Sequence, residues 1–286
     1  MRYEFQFLKY HGCGNDFILK DEMAGATTPD SDRSAMAKFL WDRNFWIGAD
    51  GVLFVEPAPG VDGSMRLFEP AGNEADMCGN GLRCVAAFLM DKLKKDEVDI
   101  LTGDGVKHVV REGDGFKVDM GVVRTLREDL AEYVTDAGPP GDSMLTFRVD
   151  TGRGPETGSV VDTGEPHIVL FTDSLDTVPL VKIGEKMNSD RARFPKGVNV
   201  NYVEVTGEHD ISIRTYERGV YNETMACGTG ATACGSVAVM LKKVRPGPVN
   251  VRVRGGMMKI ELGPDGRAVM TGPAVKVFEG RVEVEV

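Results

Sequence analysis

The chain has 286 residues, 42% hydrophobic and 27% charged, an ordinary composition for a water-soluble globular protein of one large or two medium domains. Its formal net charge of −10 speaks against nucleic acid and anionic membrane surfaces as partners. Five cysteines in so long a chain read as reduced thiols, and the absence of a signal-like N-terminus or a bilayer-length apolar run points to the cytoplasm.

In chain order, alternating polar and apolar residues predict half-buried strands over 3–8, 51–55, 116–120, 199–205, 211–216, 249–253, 257–262 and 275–286. A helix is expected over 31–41, capped by Ser31 or Asp32. Two further helices each follow a cysteine. After Cys78 come Gly79-Asn80-Gly81, then Leu82, Val85, Phe88, Leu89 and Leu93 at helical spacing, closing on Lys94-Lys95. After Cys227 come Gly228-Thr229-Gly230, then Ala231, Cys234, Val237, Ala238 and Leu241, closing on Lys242-Lys243. Both stretches are apolar nearly all round, the pattern of helices enclosed by sheet. The closing lysines suit the negative end of the helix dipole.

The two segments share one arrangement: Glu, three residues, Cys-Gly-x-Gly, then a helix, over 74–81 and 223–230. The cysteines lie 149 residues apart, close to half the chain. A duplicated unit with pseudo-twofold symmetry is the simplest account. Two such halves face to face set the cysteines across one cleft.

A thiol at a helix N-terminus sits beside unpaired N–H groups and the positive end of the dipole. A free thiol ionises near about 8.5, and this setting is expected to lower that value, making the thiol a usable base. Two such helix ends also form an anion site, whose donors strengthen as charge moves onto a substrate carboxylate when the α-proton leaves. Glycines 79, 81, 228 and 230 are expected to let the backbone approach the ligand. Inversion at an α-carbon needs this set: a thiolate on one face and a thiol on the other. Cys84 and Cys234, inside their helices, read as small core hydrophobes, and Cys13 as structural. The spacings Cys-x5-Cys and Cys-x6-Cys are not those of a zinc site. A hydrolase pairing one cysteine with His11 or His167, or a protein that merely binds an amino acid, leaves two matching cysteines unexplained. A redox protein needs Cys78 and Cys227 to form a bond in its cycle.

Several motifs follow one another in order: His11-Gly12-Cys13-Gly14-Asn15-Asp16-Phe17, Gly48-Ala49-Asp50-Gly51, Met77-Cys78-Gly79-Asn80-Gly81 with Arg83-Cys84, Glu217-Arg218-Gly219 with Glu223-Thr224, Ala226-Cys227-Gly228-Thr229-Gly230, and Thr271-Gly272-Pro273-Ala274 with Gly280. With them the chain resembles the diaminopimelate epimerase family. The resemblance implies an α+β fold of two pseudo-symmetric domains, each a mostly antiparallel sheet wrapped around a central helix. Residues 1–121 with 273–286 form the half carrying Cys78, and 122–272 the half carrying Cys227. It implies an amino-acid epimerase of LL-/meso-diaminopimelate, in lysine biosynthesis, that uses no pyridoxal phosphate, cofactor or metal and forms a homodimer. By position, Cys78 and Cys227 are its acid and base, and Glu217 and His167 set their protonation. Asn15 contacts the reacting end, Gly79-Asn80 and Gly228-Thr229 hold the α-carboxylate, and Asn199 and Arg218 bind the distal end.

Glu69 and Glu165 stand where that family has asparagines bordering the distal group, and the segment 219–223 is one residue longer. Two carboxylates suit a cationic distal end. The alternative expectation is therefore a racemase of lysine, ornithine, arginine or histidine, with Glu69 and Glu165 among its substrate-binding residues.

Overall fold

The computed structural model describes residues 2–135 and 147–285. In the first half, β1 (Arg2–Gly12) turns into β2 (Asn15–Asp21), and α1 (Asp30–Leu40) leads to β3 (Gly51–Glu56) and β4 (Gly63–Phe68). The short β5 (Glu74–Ala75) precedes α2 (Gly79–Leu93), followed by β6 (Glu97–Thr102), β7 (Gly105–Glu112) and β8 (Gly115–Val122). After the single turn α3 (Arg127–Leu130) come β9 (Phe147–Asp150), β10 (Pro155–Asp162), β11 (Pro166–Phe171), α4 (Leu180–Ser189), β12 (Asn199–Val205), β13 (Asp210–Glu217) and the short β14 (Asn222–Glu223). Then follow α5 (Gly228–Met240), β15 (Val249–Val253), β16 (Gly256–Leu262), β17 (Arg267–Gly272) and β18 (Val275–Glu285), the last pairing antiparallel with β1.

The pairing repeats as the sequence does. In the first half β2 and β3 are parallel, β4 runs antiparallel to β3 and β5, and β6 lies parallel to β4. In the second half β11 and β12 are parallel, β13 runs antiparallel to β12 and β14, and β15 lies parallel to β13. The described residues gather into two compact units, one within 1–118 together with 271–286 and one within 119–270.

In the first unit α2 is buried without a break from Gly79 to Met90 and packs on β1, β2, β3, β4, β6 and β18. In the second, α5 is buried continuously from Gly230 to Ala238 and packs on β10, β11, β12, β13, β15 and β16. A helix with no polar face has no side to show to water, so the strands enclose it. This is the expected α+β architecture, and no helix among the described residues is long and apolar enough to cross a membrane.

Local details depart from expectation. Helix α1 begins at Asp30, preceded by Pro29 at φ −56° and ψ 140° with no side-chain cap. Pro29 is the extended residue that caps the helix, and its carbonyl accepts from the Asp32 N–H at 3.0 Å. Ser31 and Asp32 lie in the first turn, where the Ser31 hydroxyl donates to Asp32 Oδ1 at 2.8 Å. Gly12 pairs with Asn15, so Cys13 and Gly14 alone make the β1–β2 turn, with φ of 52° and 81°. Positive φ at both central residues is the two-residue turn that matches strand twist.

Candidate active site

In the first unit Cys78 is the extended residue capping α2, at φ −146° and ψ 117°. Its Sγ lies 3.9 Å from Asn15 Oδ1, and Asn15 is the first residue beyond the hairpin turn. Asn80 Nδ2 donates to the same oxygen at 2.9 Å, and Asn15 Nδ2 donates to Asp50 Oδ2 at 2.8 Å, which fixes the Asn15 amide. Asn80 Oδ1 accepts from Arg83 Nη2 at 2.7 Å. Arg83 is wholly buried in the first turns of α2 and also donates to the Gly79 and Pro273 carbonyls, each at 3.3 Å. A chain of hydrogen bonds thus runs from a buried guanidinium through Asn80 and Asn15 to the thiol. Below it, Arg43 bridges Asp16 and Asp50, and Lys9 reaches Asp16 at 2.7 Å. Burial acts to raise the Asp16 pKa, but the bonds from Arg43 and Lys9 outweigh it and bring it down to about 2.

Glu69 does not join this group. It is exposed in the turn between β4 and β5, where its carboxylate accepts from the Asn73 side-chain amide.

In the second unit Cys227 caps α5 at φ −119° and ψ 114°. Its Sγ accepts from the Gly230 N–H at 3.3 Å and lies 3.3 Å from Thr229 Oγ1. The expectation of a lowered thiol pKa fails here. Burial first, and then the negative charge of Glu217, push Cys227 well above the ordinary thiol value, against the lowering bonds of Thr229 and Gly230. At 4% exposure, desolvation of a thiolate outweighs two weak donors to sulfur. Gly230 also differs from expectation. A Cβ there meets Asn201 Oδ1 at 2.8 Å and Cys227 Sγ at 3.2 Å, so the glycine makes room for protein neighbours.

Around this helix end, Thr163 Oγ1 donates to the Thr229 carbonyl at 3.1 Å, tying the β10–β11 turn to α5. Glu165, in the same turn, forms an ion pair with Arg218. Arg218 donates through its backbone N–H to Asn199 Oδ1 at 2.8 Å and through Nη1 to the Lys196 carbonyl at 3.1 Å. Asn199 Nδ2 completes the ring on the Pro166 carbonyl at 3.1 Å. His167, beside Asn199 in register, is wholly buried. Burial and the Arg218 charge bring its pKa down to about 3, with the Asn201 side chain opposing them. The structure therefore brings Glu165, Asn199 and Arg218 together, sets Thr229 and Glu217 on Cys227, and leaves Gly228 in the first turn of α5.

The repeated glutamates serve a different end from the thiols. Glu74 takes Arg66 with both oxygens, at 2.6 and 2.7 Å, and Glu223 takes Arg214 likewise, at 2.8 and 2.7 Å. Each pair pins the short strand that leads into a cysteine helix, and the arginine holds each carboxyl below its usual range. Sequence reasoning assigned no role to Arg66, Arg214, Arg83, Thr163, Thr215 or Asn201. One signal was available: Asn199 and Asn201 alternate with Val200 at the start of β12, so both project to one face.

The fold and these two helix ends define an α+β protein of two like halves, each presenting a cysteine at the head of a buried helix. The same fold occurs in the hydroxyproline epimerase of Agrobacterium vitis, with a TM-score of 0.69 at 16% identity over 99% of this chain and 94% of that one. It also occurs in a PhzF-family phenazine biosynthesis protein of Bacillus anthracis, with a TM-score of 0.69 at 16% identity over 98% and 99%. The family model described as Diaminopimelate epimerase matches residues 7–126 and 159–277. Diaminopimelate epimerase of Methanothrix thermoacetophila is 41% identical over 99% of this chain and 98% of its own, and that of Archaeoglobus fulgidus 38% over 96% and 95%. The chain belongs to the diaminopimelate epimerase family and is an enzyme of the isomerase class.

Proposed function

We propose that this enzyme inverts the α-carbon of LL- or meso-diaminopimelate without a cofactor, Cys78 and Cys227 working from opposite faces of that carbon. The observation that carries this reading is the duplicated frame: each thiol caps a buried helix, at the positive end of its dipole, where a carboxylate is favoured. Burial and Glu217 hold Cys227 as a thiol, so it is the proton donor in the direction in which the Cys78 thiolate abstracts. The return direction starts with the proton on Cys78. Backbone N–H groups at Gly79, Asn80, Gly228 and Thr229 hold the α-carboxylate and strengthen as it gains charge.

The Glu165–Arg218 pair favours diaminopimelate over lysine, ornithine, arginine or histidine. A distal end with both an ammonium and a carboxylate replaces this ion pair partner for partner. A purely cationic end engages Glu165 and leaves Arg218 facing a like charge. The same reading makes the protein a cytoplasmic homodimer serving lysine biosynthesis.

The test is incubation in D2O with reductant and no cofactor, on LL-diaminopimelate, L-lysine, L-ornithine, L-arginine, L-histidine and L-glutamate. The expected result is exchange with inversion on diaminopimelate. Cys78→Ser and Cys227→Ser are each expected to lower turnover by about 10²–10⁴-fold, while Cys84→Ala keeps most activity. Near-normal turnover in either serine variant overturns the two-thiol scheme, and faster exchange on lysine or ornithine overturns the substrate.

A further inference from the structure

His167 and Asn201 are both wholly buried, on the neighbouring parallel strands β11 and β12. Asn201 Nδ2 lies 3.0 Å from His167 Nδ1, 3.1 Å from the Ile168 carbonyl oxygen and 3.4 Å from the Asn199 carbonyl oxygen. A backbone carbonyl can only accept, so the end of the amide facing Ile168 is the NH2 group. Asn201 Oδ1, at the other end, accepts from Thr215 Oγ1 at 2.9 Å across the β12–β13 pair. The carbonyls of Ile168 and Asn199 orient the amide, since the Thr215 hydroxyl can donate or accept, and the closest acceptor to its NH2 group, at 3.0 Å, is His167 Nδ1. That nitrogen must accept, which puts the imidazole proton on Nε2.

We propose that Asn201, anchored by Thr215, is a positioning residue that locks His167 as the neutral Nε2–H tautomer, making it a fixed hydrogen-bond donor in the site and not a proton carrier. This rests on the proposed epimerisation for its role in catalysis, though not for the tautomer itself. Two observations support the lock. Burial and the positive charge of Arg218 both act against an imidazolium. Nε2 is buried with no acceptor among the described residues, so its proton is directed at a group that arrives with the ligand. The chemistry that answers a neutral N–H beside a cation is an anion, and the substrate α-carboxylate, whose charge grows as the α-proton leaves, is the acceptor proposed. A donor aimed at developing charge is typically worth about 10²–10³ in turnover.

Nitrogen-15 NMR of protein labelled at its four histidines tests this directly, with the His167 signals assigned by their loss in His167→Gln. The expected result is an acceptor-type Nδ1 and a protonated Nε2, unchanged from pH 5 to pH 8. A protonated Nδ1, or titration within that range, overturns the proposal. In Asn201→Asp the new carboxylate accepts from Nδ1–H, so the proton is expected to move to Nδ1 or the ring to become charged. Turnover is then expected to fall about 10²-fold or more with a smaller change in KM. Thr215→Val, which frees the amide without adding charge, is expected to give a mixture of tautomers. An unchanged tautomer in both variants overturns the lock. A locked Nε2–H in a protein that exchanges no α-proton on any amino acid tested overturns the catalytic role and the proposed function, and leaves the lock standing.

Discussion

Glu223 and Glu74 occupy equivalent places and differ in surroundings, which separates their energetic weights. The Glu223 side chain is 10% exposed and the Glu74 side chain 43%. In Glu223→Gln a half-buried guanidinium loses its counter-charge, with an expected cost of about 2–4 kcal/mol in urea unfolding. In Glu74→Gln solvent screens the change, and less than about 1 kcal/mol is expected. Equal losses in the two variants would contradict this division. His167 makes a prediction about pH. Its native pKa of about 3 lies below the ordinary imidazole value of 6.5, so between the two the unfolded chain binds a proton that the native one does not. Its contribution is complete above the unfolded value and is lost as pH falls, by about 1.4 kcal/mol per unit. The stability gap between wild type and His167→Gln is therefore expected to narrow by about 2 kcal/mol from pH 7 to pH 5. Asp16 follows the same sign lower down, stabilising above 3.8 and losing that effect towards about 2.

At the scale of the element, the two cysteine helices end as alike as they begin. Lys94 and Lys242 stop them in the left-handed region, at φ 59° and 55°. The next N–H returns to a carbonyl one turn back, Lys95 to Met90 at 3.1 Å and Lys243 to Ala238 at 2.8 Å. This is a closure that glycine performs without strain. Both lysines are exposed, so Lys94→Gly and Lys242→Gly are each expected to raise stability by about 0.5–1 kcal/mol, read as a rise in Tm. A loss in both would show that the lysine charge at the helix end outweighs backbone strain.

Across the whole molecule, two clusters stand out among the large apolar side chains that the first unit exposes. Trp41, Phe45 and Trp46 follow α1, with Phe45 83% exposed, and Val275, Val277 and Phe278 lie on β18. The proposed homodimer is expected to cover one of these clusters. Val277→Asp is expected to leave the fold intact and to shift the mass measured by light scattering towards that of a single chain. A wild-type protein of single-chain mass would remove the homodimer from the reading.

Much of this was legible without coordinates because it is local. The spacing of apolar residues after Cys78 and Cys227 marks helices with no polar face, and such helices must be enclosed whatever encloses them. The strands at Asn199–Val205 and Val249–Val253 begin and end where their alternation does. The start of α1 was misplaced because a proline, rather than a side-chain cap, opens it. What depends on remote partners was not legible. The sequence supports a low thiol pKa at either helix end, yet Cys227 is raised because folding removes it from water and sets Glu217 beside it. Glu165 reads as an unpaired carboxylate until the tertiary structure supplies Arg218, 53 residues away. The His167 tautomer follows from Asn201, 34 residues distant, and Asn201 is held in turn by Thr215, 14 further on. Periodicity and backbone preference are properties of neighbours in sequence, so the chain alone determined its two helix-centred halves and the cysteines at their heads. Charge, protonation and hydrogen-bond direction depend on desolvation and on partners brought in by strand pairing, so only the tertiary structure decided them.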